Sequence, residues 1–306
     1  MHQSVLLNET IEGLGLNSKR GKKLIVVDAT FGGGGHTLAI SKRYPGARII
    51  ALDQDESTWR NTEDKFKNSG CQISFVNENF RNLGQVLKKE KVEEAGGVDG
   101  IIFDLGLSSD QLERSGRGFS FKGEEPLLMT MKENPRPEDL TAEEVVNTWS
   151  EENLAAVIGG YGEERFAKKI AKAIVREREN RPLRTTSDLV GVISRAVPAA
   201  YRRGRISRKL HEATRTFQAI RIAVNDELGA LSLGLKQGFD FLKDGGRIAV
   251  ISFHSLEDRI VKKFFKGLES LGEAKIINKK VILAGEEEIK ENPRSRSAKL
   301  RIVEKI

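Results

Sequence analysis

The chain predicts an α/β fold, a doubly wound, largely parallel sheet interrupted by an all-helical insert. Three observations carry this. Residues 24–104 alternate between apolar, strand-like runs and helix-like segments. From about Asp110 to His211 no strand pattern is convincing, while helical periodicity recurs. A strong strand pattern, Arg247–Phe253, then returns directly after Asp244-Gly245-Gly246. The expected division is therefore 1–109 with 216–306 for the sheet domain, and 110–215 for the insert.

The first strand, Leu24–Val27, ends in Asp28. Four glycines follow, Gly32–Gly35, and then a helix-like segment, Thr37–Arg43. Such a turn lets the backbone approach a ligand closely, and a helix start offers unpaired N–H groups. A second strand, Arg48–Leu52, ends in Asp53, 21 residues after Gly32. A doubly wound sheet places its ribose-binding acid there. Ile73–Val76 and Gly100–Asp104 read as the third and fourth strands. In the insert, Thr141 and Glu144 have capping-box spacing. The next helix is expected over Glu163–Glu179, with Phe166, Ile170 and Ile174 on one stripe and Lys168 and Lys172 on another face. A third, Ser187–Val197, is stopped by Pro198. Thr214–Leu242 reads as one long helix. Lys275–Leu283 and Lys299–Glu304 read as the last two strands, antiparallel neighbours at the sheet edge.

Composition narrows the function classes. With 306 residues, 38% hydrophobic and 31% charged, the chain suits a soluble globular enzyme. No apolar run is long enough to span a membrane, and Met1–Thr10 lacks a signal-peptide pattern, so a cytoplasmic protein is expected. The lone Cys71 excludes an internal disulfide. His2, His36, His211 and His254 show no zinc-site spacing, so no metal is expected. The net charge of +7 is uneven: Arg165–Arg215 holds 15 Lys/Arg against 4 Asp/Glu. Clustered cations point to an anionic partner, nucleic acid foremost.

Ligands of open α/β sheets sit at the carboxyl ends of the strands. The strand exits here carry Asp28 with the glycine turn, then Asp53, then Asn77-Glu78-Asn79-Phe80. The last two carry Asp104 through Gln111, and Ser252-Phe253-His254-Ser255-Leu256-Glu257-Asp258. Ser255 with Asp258 also has the character of a helix start. The glycine turn and Asp53 imply a nucleoside cofactor. A dinucleotide fingerprint needs a third glycine where this chain has Thr37, whereas S-adenosylmethionine needs only close backbone approach and the ribose acid.

The chain resembles the ribosomal RNA small subunit methyltransferase H family. The resemblance lies in Asp28-Ala-Thr-Phe-Gly-Gly-Gly-Gly-His36, Asp104-Leu-Gly-Leu-Ser-Ser109, Arg117-Gly-Phe-Ser-Phe121 and Tyr161-Gly-Glu-Glu-Arg-Phe166. It continues through Ala213–Ile222, Ile251–Arg259 and Asn292–Ser297, in the family's order. It implies a class I, Rossmann-like methyltransferase sheet carrying a helical insert. It implies S-adenosylmethionine as cofactor, contacted by Gly34, Gly35, His36, Asp53, Phe80, Asp104 and Gln111. The implied reaction is methylation of the exocyclic N4 of one cytidine in the decoding region of 16S rRNA within the small ribosomal subunit. After the Arg117–Phe121 segment the family usually reads Gly-Pro-Leu-Asp-Met-Arg-Met-Asp. This chain has Leu128, Thr130 and Lys132 at the two acids and the arginine between them.

On that resemblance Asp104 and His254 are the catalytic candidates. Asp104, or a backbone carbonyl of its turn, would accept from the N4 hydrogens, and His254 would contact the base or its ribose. Lys168, Lys169, Lys172, Arg202, Arg203, Arg205, Arg208 and Lys209 are the expected RNA contacts, with Arg294 and Arg296 clamping the backbone beside the target. The residues alone leave three rivals: a nicotinamide oxidoreductase, a non-catalytic RNA-binding protein, and a methyltransferase of proteins or small molecules. They also leave the oligomeric state open, a homodimer included.

Overall fold

The computed structural model describes residues 4–19, 23–60, 63–66, 69–121, 123–199, 201 and 211–306. These divide into two compact units, 1–108 with 228–306, and 109–227.

The first unit is the sheet. Its strands are β1 (Ile25–Asp28), β2 (Arg48–Asp53), β3 (Gln72–Asn77), β4 (Val98–Asp104), β5 (Leu242–Ser252), β6 (Ala274–Ile276), β7 (Ile282–Leu283) and β8 (Lys299–Lys305). The order is β3-β2-β1-β4-β5-β8-β6, with β7 also pairing β8. The first five strands are parallel and β8 runs antiparallel to β5. Central strands buried on both faces must be apolar throughout, and Ile25-Val26-Val27-Asp28 is buried at every position. Side chains alternate between faces. Ile101 and Phe103 pack with Leu231, Leu235, Phe239 and Phe265 on one side; Ile102 packs with Leu6, Leu14 and Ile40 on the other.

Around the sheet lie α1 (Leu7–Gly13), α2 (Gly35–Arg43) and α3 (Leu83–Lys89). The second unit contains α4 (Ala142–Thr148), α5 (Glu151–Gly162), α6 (Ala167–Arg178), α7 (Thr186–Ala196) and α8 (Thr214–Asn225). The chain then continues through α9 (Glu227–Asp240), α10 (Ser255–Ser270) and α11 (Glu286–Glu291). Three helices of the second unit start at hydroxyl caps: Thr141 accepts from Glu144 N, Ser150 from Asn153 N, and Thr185 forms a reciprocal box with Asp188. Among the described residues this unit's only strand-like feature is the isolated bridge Pro126–Thr185.

Several expectations need correction. The helix expected from Glu163 starts at Ala167, because Glu163 is left-handed (φ 48°) and Glu164–Phe166 form a turn. The single helix expected over Thr214–Leu242 is two, broken where Asp226 turns left-handed (φ 45°). Its first half belongs with the insert, so the insert extends to Glu227 rather than 215. Two contacts hold it there: Gly162 lies against the Arg215 carbonyl, and the Asn225 amide accepts from Met131 N and donates to Met129 O. Lys275–Leu283 is not one strand but β6 and β7, both paired to β8, which itself sits inside the sheet. Among the described residues no helix is long and apolar enough to cross a membrane.

Candidate cofactor site

The strand exits bring acids together on one rim of the first unit. Parallel pairing aligns Asp28 with Ala51 and Asp104 with Ile251, so the ends of β1, β2, β4 and β5 lie side by side. The glycines of the turn do different jobs. Gly32 (φ 51°) and Gly34 (φ 73°) adopt left-handed backbone that favours glycine. Gly35 has no such angle; it makes room for the N-terminal segment, since a Cβ there would meet Ser4 Oγ at 1.9 Å. Phe31, under the turn, packs among Trp59, Phe66 and Phe75.

Asp53 closes the turn: Oδ2 accepts from Gly32 N at 2.8 Å, while Oδ1 accepts from Asp55 N at 2.9 Å. Burial pushes its carboxyl up to about 7. Asp28 is buried, accepts from Thr37 Oγ1 at 2.7 Å, and is pushed up by burial to about 6. Asp104 N donates to Thr30 Oγ1 at 2.6 Å, and Asp104 Oδ2 lies 3.6 Å from His36 Nδ1. Burial, then the charges of Asp28 and Glu257, hold the Asp104 carboxyl well above the usual range. Asp104 Oδ1 is buried with no hydrogen-bond partner among the described residues. A buried acceptor left unmade costs about 1–3 kcal/mol. A cationic ligand with donor groups would repay that cost and relieve the crowding of carboxylates.

Phe80 follows β3 and stands edge-on to Phe103, ring centres 5.6 Å apart. Gly234 of α9 seats it: a Cβ there would lie 2.8 Å from Phe80 Cδ2. His254 is the N-cap of α10; its Nδ1 accepts from Glu257 N, and Glu257 accepts from His254 N and Phe253 N. The cap expected at Ser255 with Asp258 is therefore one residue earlier, at His254 with Glu257. Asp258 instead takes Arg301 at 2.7 Å and Lys299 at 3.8 Å.

So Gly34, Gly35, His36, Asp53, Phe80, Asp104 and His254 all belong to the first unit, at strand exits. Gln111 is buried in the second unit, in the short helix Ser109–Arg114. Lys168, Lys169 and Lys172 are exposed on α6. Arg296 is exposed, and Arg294 half-buried, beside the fully buried Ser295. Arg202, Arg203, Arg205, Arg208 and Lys209 lie outside the described residues. Sequence reasoning missed Thr30, Thr37, Gly234 and Glu257. Only Glu257 had a signal, its capping-box spacing from His254.

Comparison with known proteins decides the family. A model of the MraW methylase family matches residues 1–306. The chain belongs to the MraW methylase family. It is 43% identical to the ribosomal RNA small subunit methyltransferase H of Clostridioides difficile (strain 630), covering 100% of this chain and 99% of that one. It is 44% identical to the protein of that name from Heliobacterium mobile, over 100% and 99% respectively. This methylase uses S-adenosylmethionine, and the rim fits it: acids for a cationic, hydroxyl-bearing ligand, a turn with left-handed glycines, and an aromatic ring at the third strand's exit.

The departure from the family's pattern has a local account. Thr130 is buried and its carbonyl accepts from the buried Arg117. Lys132 is paired with Asp139, which lies well below the usual carboxylate range, at about 2. Leu128 and Thr130 carry no charge, so the exchange leaves no unpaired buried ion at these positions.

Proposed function

We propose that this methylase transfers a methyl group to the exocyclic N4 of a specific cytidine in the decoding region of 16S rRNA, in the cytoplasm, with the small ribosomal subunit as partner. The observation that carries the chemistry is the buried Asp104 Oδ1 at the end of β4, which has no hydrogen-bond partner among the described residues. Full-length similarity to proteins named ribosomal RNA small subunit methyltransferase H supports the substrate.

S-adenosylmethionine, when bound, supplies an electrophilic methyl group on a positively charged sulfur. In this reading Asp53 accepts from the ribose hydroxyls, and the turn at Gly34, Gly35 and His36 contacts the cofactor. Phe80 flanks the adenine base. Cytosine N4 is a weak nucleophile because its lone pair is delocalised into the ring. An acceptor aimed at its hydrogens favours pyramidal nitrogen and stabilises the positive charge that develops on it. Asp104, or a carbonyl of the Leu105-Gly106-Leu107 turn, fills that role. His254, held by Glu257, contacts the base or its ribose. A target base in structured RNA must swing outward to reach a buried methyl group.

Lys168, Lys169, Lys172, Arg294 and Arg296, with Arg202, Arg203, Arg205, Arg208 and Lys209, supply phosphate contacts. Mass spectrometry of 16S rRNA from cells with and without this gene tests the reading. One N4-methylated cytidine should disappear with the gene. An unchanged rRNA, with labelled methyl appearing on lysate proteins instead, would overturn it.

A further inference from the structure

On the second unit, Phe166 and Tyr201 pack edge to face, ring centres 4.9 Å apart at 70°. The buried Glu164 fixes both: Oε1 accepts from Phe166 N at 2.9 Å and Oε2 accepts from the Tyr201 hydroxyl at 3.1 Å. Arg165 then lies over the pair. Its guanidinium carbon is 4.5 Å from the centre of Tyr201 and 4.7 Å from that of Phe166. Lys169 Nζ is 5.8 Å from Phe166, and Lys168, Lys169 and Lys172 are exposed on the helix that follows. Arg215 donates to Glu163 O at 3.0 Å on the same turn.

The cluster is more than a cap for α6. Arg165 is exposed, yet its guanidinium rests against two rings whose own positions a buried acid holds. A flexible cation on the surface keeps little rotamer freedom in such a stack. A guanidinium held against aromatic rings is a platform for another π-face, and lysines beside it neutralise a sugar–phosphate backbone. Single-stranded RNA presents both features, an unstacked base and its phosphates; duplex RNA hides its base faces.

We infer that Arg165, mounted on Phe166 and Tyr201, is a stacking site for an unpaired base of the RNA substrate, separate from the base that is methylated. This rests on the RNA reading above and assigns that substrate a single-stranded segment at the helical unit.

The test uses the full chain and a short single-stranded RNA in which one base is 2-aminopurine, moved along the sequence. Stacking quenches its fluorescence. The parent protein should quench at one or two positions. Arg165→Lys keeps the charge and loses the plane. It should lose the quench and about 5- to 20-fold in affinity, with the salt slope unchanged. Lys168→Gln with Lys169→Gln should lower the salt slope and keep the quench at saturation. Parent-like quenching and affinity in Arg165→Lys would overturn the inference. So would a lower melting temperature with RNA affinity intact, which marks a purely structural cluster. If the parent protein shows no salt-dependent RNA binding, the RNA reading falls as well, and the two failures are thereby told apart.

Discussion

Asp53 carries two loads, since one carboxylate holds the glycine turn at Gly32 and the chain after β2 at Asp55. Its spare lone pairs remain for the ribose contact proposed above. We expect Asp53→Ala to weaken S-adenosylmethionine binding by roughly 1–3 kcal/mol by calorimetry, the cost of unmade buried hydrogen bonds. The raised acids also set a pH dependence. Burial holds Asp28 at about 6 and Asp53 at about 7, above the ordinary 3.8, so the folded protein keeps these protons more tightly than the unfolded chain. Their contribution to apoprotein stability is therefore full below about pH 4 and lost as pH rises through 6 and 7. The cationic cofactor prefers the ionised acids, so its affinity should rise between about pH 5 and 7.5 while apoprotein melting falls; parallel trends would contradict this account. His254 is a cap as well as a candidate for the substrate. Asn is a strong N-cap and Ala is not. His254→Asn should keep the melting temperature and cut methyl transfer far more than cofactor binding. His254→Ala should cost about 1 kcal/mol of stability in addition. The acids at the strand exits were legible because an apolar run ending in a charge is a local pattern. Glu257 was passed over because Ser255 and Asp258 are commoner capping types.

At the level of elements, the glycine turn shows why spacing underdetermines cause. Four glycines in a row read as room for a ligand, yet Gly35 makes room for Ser4 of the N-terminal segment. That segment is buried at Ser4, Val5 and Leu6, with Leu6 left-handed (φ 49°) and its N–H donating to Glu288 of α11 at 2.8 Å. Gly35→Ala should therefore weaken cofactor binding by pushing the turn, and adding Ser4→Gly should recover most of the loss. Failure of the double variant to recover binding would separate the turn from the N-terminal segment. The strands were legible from their apolar runs. The helix break at Asp226 was not, because Thr214–Leu242 has no proline and its nearest glycine, Gly229, lies inside the second helix. Asp226 caps the first half in the left-handed region, φ 45°.

Across the whole molecule, charge is segregated by sequence segment, with an excess of 11 positive charges over Arg165–Arg215. In the structure Lys168, Lys169 and Lys172 of that segment are exposed. Neutralising those three should lower the salt dependence of small-subunit binding, by up to about 3 in the slope, and leave cofactor affinity unchanged. An identical slope would remove α6 from the interface. Arg301 behaves differently: two of its three side-chain nitrogens, Nε and Nη2, engage Asp258. Charge density in one dimension cannot show which partner a cation meets.

The amino-acid sequence by itself determined the first five strands, the acids at their ends, the place of the basic segment and, through its motifs, the family. These are properties of neighbours along the chain, where periodicity and turn chemistry act. Only the tertiary structure decided that β8 lies inside the sheet, that Gly234 seats Phe80, and that Asp104 Oδ1 has no partner among the described residues. It alone also decided that Glu164 joins Phe166 to Tyr201. Each of these joins residues far apart in the chain. Burial and hydrogen-bond satisfaction depend on which surfaces meet in space, and no local pattern records that.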